Sequence, residues 1–430
     1  MKYLTTQMSI QPNPQNQSER GPERGCLFGR SLGFGLAQCA GAMLGISGLA
    51  SGLIGCESSS KVLTTQDTLS MQTSIAHSSL QNVSCAAETD RIILADDSAD
   101  DPAVWVHPHD PALSLVIGTN KKAGLEVYDL AGKRLQTLPI GRPNNVDIVQ
   151  AQNGSAIVVA SNRTANTIDF FVVDPTTRAL SQVNGASVAT GLDEVYGLCA
   201  FMDADDVQIT GNGPLSAFHV VVGSKSGLVR IYQMTRTESV QSGASSSGAN
   251  WSHALVREFA VGGQAEGMVA DVFHGWLYVG EEQVGVWQYP LDPTREPSRR
   301  LLDAVASKDA LLGGGLAPDV EGIALYDEGA GKGWLIVSCQ GEDRFQVYDR
   351  ATLKVAGSFQ LTWTDTKGTT DRVTHTDGIT ALSTPLASPL GHAFPRGIFV
   401  AQDDNDGANQ NFKIVDWSVI QSILPYHSSN

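Results

Sequence analysis

Six copies of one strand pair, the near absence of helical periodicity and a polar tip at the same place in every copy predict an all-β chain folded as a six-bladed β-propeller. Beyond about Ala95 the chain is made of short Val/Ile/Leu/Tyr runs separated by Gly, Asn, Asp and Pro clusters, the pattern of strands and tight turns. The recurring unit is an apolar run that ends in a small residue and a polar tip, followed by a turn and an aromatic-ended strand. It reads VIGTNKKAGLEVYDL from Val116, VVASNRTANTIDFFVV from Val158, VVGSKSGLVRIYQM from Val221, LYVGEEQVGVWQY from Leu277 and LIVSCQGEDRFQVYD from Leu335, and a sixth copy opens with GIFVAQDD at Gly397. The copies recur at intervals of roughly 40 to 65 residues, the spacing of propeller blades.

A second element precedes each copy, a polar or acidic tip that leads into an apolar strand. These are Asp100-Asp101-Pro102, Asn144-Asn145-Val146, Asp193-Glu194-Val195-Tyr196-Gly197, Glu266-Gly267-Met268, Asp319-Val320-Glu321-Gly322 and Asp377-Gly378-Ile379. In a propeller the first strand of every blade lines the axis, so equivalent tips converge at one end of the channel. Asp, Asn and Gly also serve ordinary turns, but six tips in register exceed what turns require.

The second tips change sign halfway round. Lys121, Arg163 and Lys225 come from three successive copies, and Glu282, Gln340 and Asp403 (with Asp404) from the next three. With Asp100, Glu194, Tyr196, Glu266, Asp319, Glu321 and Asp377 from the first tips, this places too many carboxylates together to remain unneutralised. Hard divalent cations resolve the conflict, because Ca2+ takes six to eight oxygen ligands. His107, His109, His219, His274 and His375 are scattered, which disfavours a softer metal. Cations beside such ions suit a polyanionic phosphoester, hydrolysed by a metal-activated water; no G-x-S-x-G nucleophile motif competes.

The N-terminus reads as separate from the fold. Ser31 to Gly55 is an uncharged run rich in Gly, Ala and Leu, as the apolar part of a secretory signal requires. It ends in Leu53-Ile54-Gly55-Cys56, which resembles the bacterial lipoprotein cleavage box, with a single transmembrane anchor as the alternative. The domain is thus expected to be exported, held by lipid on Cys56 in a bacterial envelope, facing the periplasm or the cell surface, and monomeric. The expected organisation is a leader over 1–55, a flexible Ser/Thr/Gln-rich tether over 56–94, and the propeller over 95–430. Cys199 and Cys339 lie in apolar runs and are expected as buried thiols, Cys85 in the tether; no zinc spacing occurs.

Charge excludes one class of partner. The chain carries -16 overall, and its first 55 residues hold four cations against two anions, so the rest is more acidic still. Nucleic acids are bound by clustered Lys and Arg, and none are expected here. A composition that is 42% hydrophobic supports a substantial core.

The stretches Asp100-Asp-Pro-Ala-Val-Trp-Val, Thr119-Asn-Lys-Lys-Ala-Gly-Leu, Asn144-Asn-Val-Asp-Ile, Ala160-Ser-Asn-Arg, Asp193-Glu-Val-Tyr-Gly, Glu266-Gly-Met, Asp319-Val-Glu-Gly, Thr376-Asp-Gly-Ile and Asn409-Gln-Asn-Phe-Lys resemble the β-propeller phytases, in order and over the whole span from about Ala95. The resemblance implies hydrolysis of phytate or calcium phytate, dependent on several Ca2+ ions. It assigns phosphate contact to Lys121, Arg163, Tyr196 and Lys225. It assigns Asp100, Tyr196, Glu266, Glu282, Asp319, Glu321 and Asp377 to active-site Ca2+, and Gln340, Asp371, Gln402 and Asp403 to further Ca2+. Ser226 and His375 depart from the family pattern, standing where better-known members carry Glu and Asp. A broader calcium-dependent phosphatase or phosphodiesterase, and a non-catalytic binding propeller, stay open on the sequence.

Overall fold

The computed structural model describes residues 80–151, 153–203, 215–237, 250–296, 298–306, 314–404 and 409–425. They form five four-stranded antiparallel sheets and, in blade 5, a six-stranded sheet with one parallel edge strand, arranged as a six-bladed propeller. The innermost strands are Ala99–Trp105, Pro143–Gln150, Val195–Phe201, Ala265–Asp271, Val320–Gly329 and Ile379–Leu382, in blades 1 to 6 respectively. Each packs against the next, and the sixth packs against the first, so the ring closes. The predicted leader, with its cleavage box at Cys56, and residues 239–249 of the Ser/Gly-rich stretch Ser239 to Asn250, which the sequence reads as an exposed loop between strands of one blade, lie outside the described residues; Asn250 itself begins a strand. No helix among the described residues is long and apolar enough to cross a membrane.

Hydrophobic burial is organised by interface rather than by blade. The described residues hold six apolar clusters, each built from facing sides of two adjacent blades. Ala103, Leu115, Ile117 and Val127 of blade 1 meet Val146, Val158 and Phe171 of blade 2, for example. The cluster between blades 5 and 6 is closed from outside by the short helix Trp417–Ile423, whose Trp417 stacks on Tyr326 with centroids 3.7 Å apart. Alternating side chains serve the two interfaces of each blade, which is why most positions of the second and third strands are buried.

The sequence reading of a tether up to residue 94 is corrected at its C-terminal end. Gln81–Ser84 pairs in parallel with Val355–Thr364 on the outer edge of blade 5. Ala87–Glu88 then pairs with Asn411–Asp416 and supplies the outermost strand of blade 6. Cys85, expected in the tether, is buried between these two blades. The segment latches the ring: the first described residues complete the last blade, removing an edge that would otherwise offer unpaired backbone groups. Cys199 and Cys339 are buried free thiols, as expected.

Candidate active site

Every innermost strand begins in the same way. Its ladder to the second strand is interrupted by a two-residue bulge, at Asp100-Asp101, Asn144-Asn145, Tyr196-Gly197, Glu266-Gly267 and Glu321-Gly322. In blade 6 the corresponding pair, Asp377-Gly378, precedes the first ladder residue Ile379. A bulge re-aims one side chain per blade, and here the first residue of each pair turns to the mouth of the channel. The second is Gly in four blades because the neighbouring blade is too close: a Cβ on Gly197 would overlap the Glu266 carbonyl, and one on Gly267 that of Glu321.

The carboxylates so gathered are crowded. Glu266, Glu282 and Glu321 are buried and offer oxygens all within 4.8 Å of one another. Asn144, which the sequence reading placed in the register but not in the site, donates from Nδ2 to Glu266 Oε1 at 2.7 Å. Lys121 Nζ lies 2.6 Å from Asp97, 3.0 Å from Asp100 and 2.8 Å from Asp377. Gln340 Nε2 donates to the other oxygen of Asp377 at 2.6 Å, and Gln264 Nε2 to the Tyr196 hydroxyl at 2.9 Å. Asp319 accepts from Gln283 at the rim. A 380 Å³ cavity opens between these groups, lined also by His375, Asp404 and Gln410.

One lysine does not neutralise this set. Burial, reinforced by Glu266 and Asp377 and opposed by Lys121, holds the Asp100 carboxyl well above its usual range. Burial and then Glu266 do the same to Glu321 and push Glu282 up to about 7. Asp377 is likewise raised. Burial works against the Lys121 ammonium, but Asp100, Asp377, Glu266 and Asp97 together hold it well above its ordinary value. The Tyr196 phenol, buried beside Glu266 and Asp100, is driven strongly upward and stays protonated. Asp100 Oδ2, Glu282 Oε1, Glu321 Oε2 and Asn144 Oδ1 are buried without a hydrogen-bond partner among the described residues. A buried unpaired oxygen is costly, and this donor set is all oxygen, so it fits a hard divalent cation such as Ca2+.

The structure brings together Asp100, Lys121, Tyr196, Glu266, Glu282, Asp319, Glu321, Gln340 and Asp377 on this mouth. Arg163 and Lys225 stand at the equivalent turns of blades 2 and 3, outside the cavity wall; Lys225 Nζ lies 5.3 Å over the Tyr196 ring and 3.9 Å from Glu194. Ser226 bonds to Asp193 and Ser224 at 3.1 and 2.9 Å instead of facing the cavity.

Blade 6 differs from the expectation by one residue. Ile379 pairs with Ala401 as Pro102 pairs with Gly118, so the turn position matching Lys121 is Asp404, and Asp403 points the other way. A one-residue step reverses the face of a strand residue. Asp403 Oδ2 lies 3.0 Å from the buried Lys413 ammonium, which also meets Glu88 at 2.6 Å and Asp371 at 4.0 Å. Gln402 is fully buried and accepts the Asp377 N–H at 2.8 Å, behind the site rather than in it.

A family model described as Phytase matches residues 51–427. A "3-phytase" of Bacillus subtilis (strain 168) is 36% identical over 358 residues, covering 80% of this chain and 85% of that protein. A solved structure of a functionally unknown protein from Desulfotomaculum acetoxidans DSM 771 aligns over 61% of this chain and 72% of its own at 16% identity, with a TM-score of 0.39. On the strength of the family match and of the extent of the similarity to the curated relative, this chain belongs to the phytase family.

Proposed function

We propose that the chain is a calcium-dependent phytase, which hydrolyses phosphate monoesters of myo-inositol hexakisphosphate and releases inorganic phosphate. The observation that carries the reading is the divided mouth: cations on the turns of blades 1 to 3, and on the far side buried carboxylates whose oxygens lack partners. Family membership and the 3-phytase relative support the substrate class.

Asp100, Glu266, Glu282, Asp319, Glu321 and Asp377, with the Tyr196 hydroxyl, are the groups that would hold calcium. Gln340 orients Asp377 through its amide. Calcium held there supplies charge neutralisation to a polyanionic ester and makes water more acidic. Arg163 offers a planar fork for two oxygens of one phosphate, while Lys121 and Lys225 act as point charges. Lys121 already stands between Asp97, Asp100 and Asp377, so it joins the phosphate side to the carboxylate side. Asp371 and Asp403, assigned to further calcium by resemblance, sit with Glu88 around Lys413.

Phosphate release from calcium phytate tests the reading. The expected result is release that a chelator abolishes and that Lys121→Ala or Glu266→Gln lowers by about 10²-fold or more. Calcium-loaded protein that releases no phosphate would overturn it. Small phosphoesters in the same assay separate a narrow phytase from a broader phosphatase. We extend the proposal to location: the Leu53-Ile54-Gly55-Cys56 box supports export and a lipid on Cys56. Cys56→Ser is then expected to move the enzyme from the membrane to the soluble fraction of an expressing bacterium.

A further inference from the structure

Of the residues of the second strands that lie opposite the bulge of the first, only Gln402 has been given a role, as a ligand of further Ca2+ by resemblance. The ladders identify these residues as Thr119, Ser161, Gly223, Gly280, Ser338 and Gln402 in blades 1 to 6, because each sits between the ladder pairs that flank the bulge or, in blade 6, next to the first pair. Four of the six carry a polar side chain, and all four are buried. Thr119 Oγ1 accepts the Asp101 N–H at 2.8 Å. Ser161 Oγ accepts the Asn145 N–H at 3.0 Å and donates to the Tyr196 carbonyl of the next blade at 2.6 Å. Ser338 Oγ donates to the Thr376 carbonyl of the next blade at 2.8 Å. Gln402 Oε1 takes the Asp377 N–H, and its own carbonyl accepts from Thr376 Oγ1 at 2.9 Å.

We propose that Thr119, Ser161, Ser338 and Gln402 form a collar of positioning residues that fixes the direction of the inward side chains at the mouth. Each bond made by a collar side chain ends on a peptide group next to one of those side chains: Asp100, Asn144, Tyr196 or Asp377. A bulge leaves backbone groups outside the ladder, and a buried peptide group without a partner is free to rotate only at a cost. The collar supplies the missing partner and thereby sets the angle of the bulge. Two of its members act between blades: Ser161 ties blade 2 to the Tyr196 bulge of blade 3, and Ser338 ties blade 5 to the Asp377 bulge of blade 6. Blades 3 and 4 carry glycine instead because a Cβ on Gly223 would meet the Met268 methyl group, and one on Gly280 would press on Val320. The collar therefore holds the bulges bearing Asp100, Asn144, Tyr196 and Asp377, while Glu266 and Glu321 lie outside its reach.

This inference rests on the reading of the mouth as a calcium site, so the test separates the two. Calcium is titrated calorimetrically into the chelator-treated full protein, and phosphate release from phytate is followed in parallel. Heat of calcium binding by the unsubstituted protein, lost in Glu266→Gln, establishes the mouth site irrespective of the collar. Thr119→Val keeps the shape and removes the hydroxyl; Thr119→Ser restores it; Ser338→Ala tests a link between blades. The collar predicts that Thr119→Val and Ser338→Ala each weaken calcium binding at the mouth by about tenfold or more, the range for residues that orient metal ligands. Thr119→Ser should recover most of the affinity, and kcat should fall in the substituted proteins even at saturating calcium. Variants that lose thermal stability in chelator but bind calcium as tightly as the unsubstituted protein would overturn the inference, since the hydroxyls would then serve the fold alone.

Discussion

Two of the acidic clusters among the described residues are neutralised differently. Where the latch crosses from blade 5 to blade 6, Glu88, Asp371 and Asp403 gather around Lys413, whose side chain is completely buried. Burial alone would lower that ammonium, but Asp403 and Glu88 raise it above its ordinary value. At the mouth, the single Lys121 faces Asp97, Asp100 and Asp377, and Glu266, Glu282 and Glu321 stand beyond it with no cation of their own. There Asp100, Glu282, Glu321 and Asp377 shift upward instead. The first cluster works as a clasp for the N-terminal segment. In the second the carboxylates are left without a matching set of cations among the described residues, and that imbalance marks the site better than the number of acidic residues does.

Substitutions in the two clusters should therefore act in opposite directions. The largest effect comes from removing the latch. Deleting the chain through Asp90 strips blade 6 of its outer strand and uncovers the side of Phe412 and Ile414, so soluble, cooperatively folding protein should not be recovered on expression. Lys413→Met is next: removing one partner of a buried ionic cluster costs about 3–5 kcal/mol, and urea unfolding should show that loss whether or not calcium is present. Glu321→Gln should do the reverse in chelator. It relieves repulsion from Glu266 and Glu282, so the metal-free protein should gain on the order of 1 kcal/mol, while the stabilisation that calcium gives the unsubstituted protein should disappear.

The smallest effect is on pH dependence. Glu282 has a folded-state value of about 7 against an unfolded value of 4.5. A carboxyl raised on folding binds its proton more tightly in the native state, so in the metal-free protein the contribution of Glu282 should be lost as pH rises from about 4.5 to 7, and the raised Asp100 and Glu321 carboxyls should add to the loss. Unfolding in chelator across this window checks the sign. Saturating calcium should flatten the curve, because ligation favours the ionised form.

Much of this was legible in the sequence, and the exceptions have physical causes. The tips were legible because the bulge repeats: Asp100, Tyr196, Glu266, Glu321 and Asp377 stand before the same kind of apolar strand each time. Asn144 stood in that register but carries no charge, so only its contact with Glu266 shows its place. Asp403 and Asp404 are adjacent and identical, and the choice between them needs the ladder. The latch strands are four and two residues long, too short to show alternation, and their partners lie more than 270 positions away. Thr119, Ser161 and Ser338 read in sequence only as small residues closing an apolar run, since a hydroxyl facing a bulge leaves no periodic mark.

The proposed role of the mouth carboxylates is to hold calcium for phosphate release. Its most direct measurement is calcium titration of the chelator-treated protein beside Glu266→Gln, with phosphate release from phytate recorded on the same samples. Binding and activity should rise together in the unsubstituted protein, and both should be lost in Glu266→Gln. Activity that persists in chelator, or calcium binding at the mouth that survives in Glu266→Gln, would contradict it.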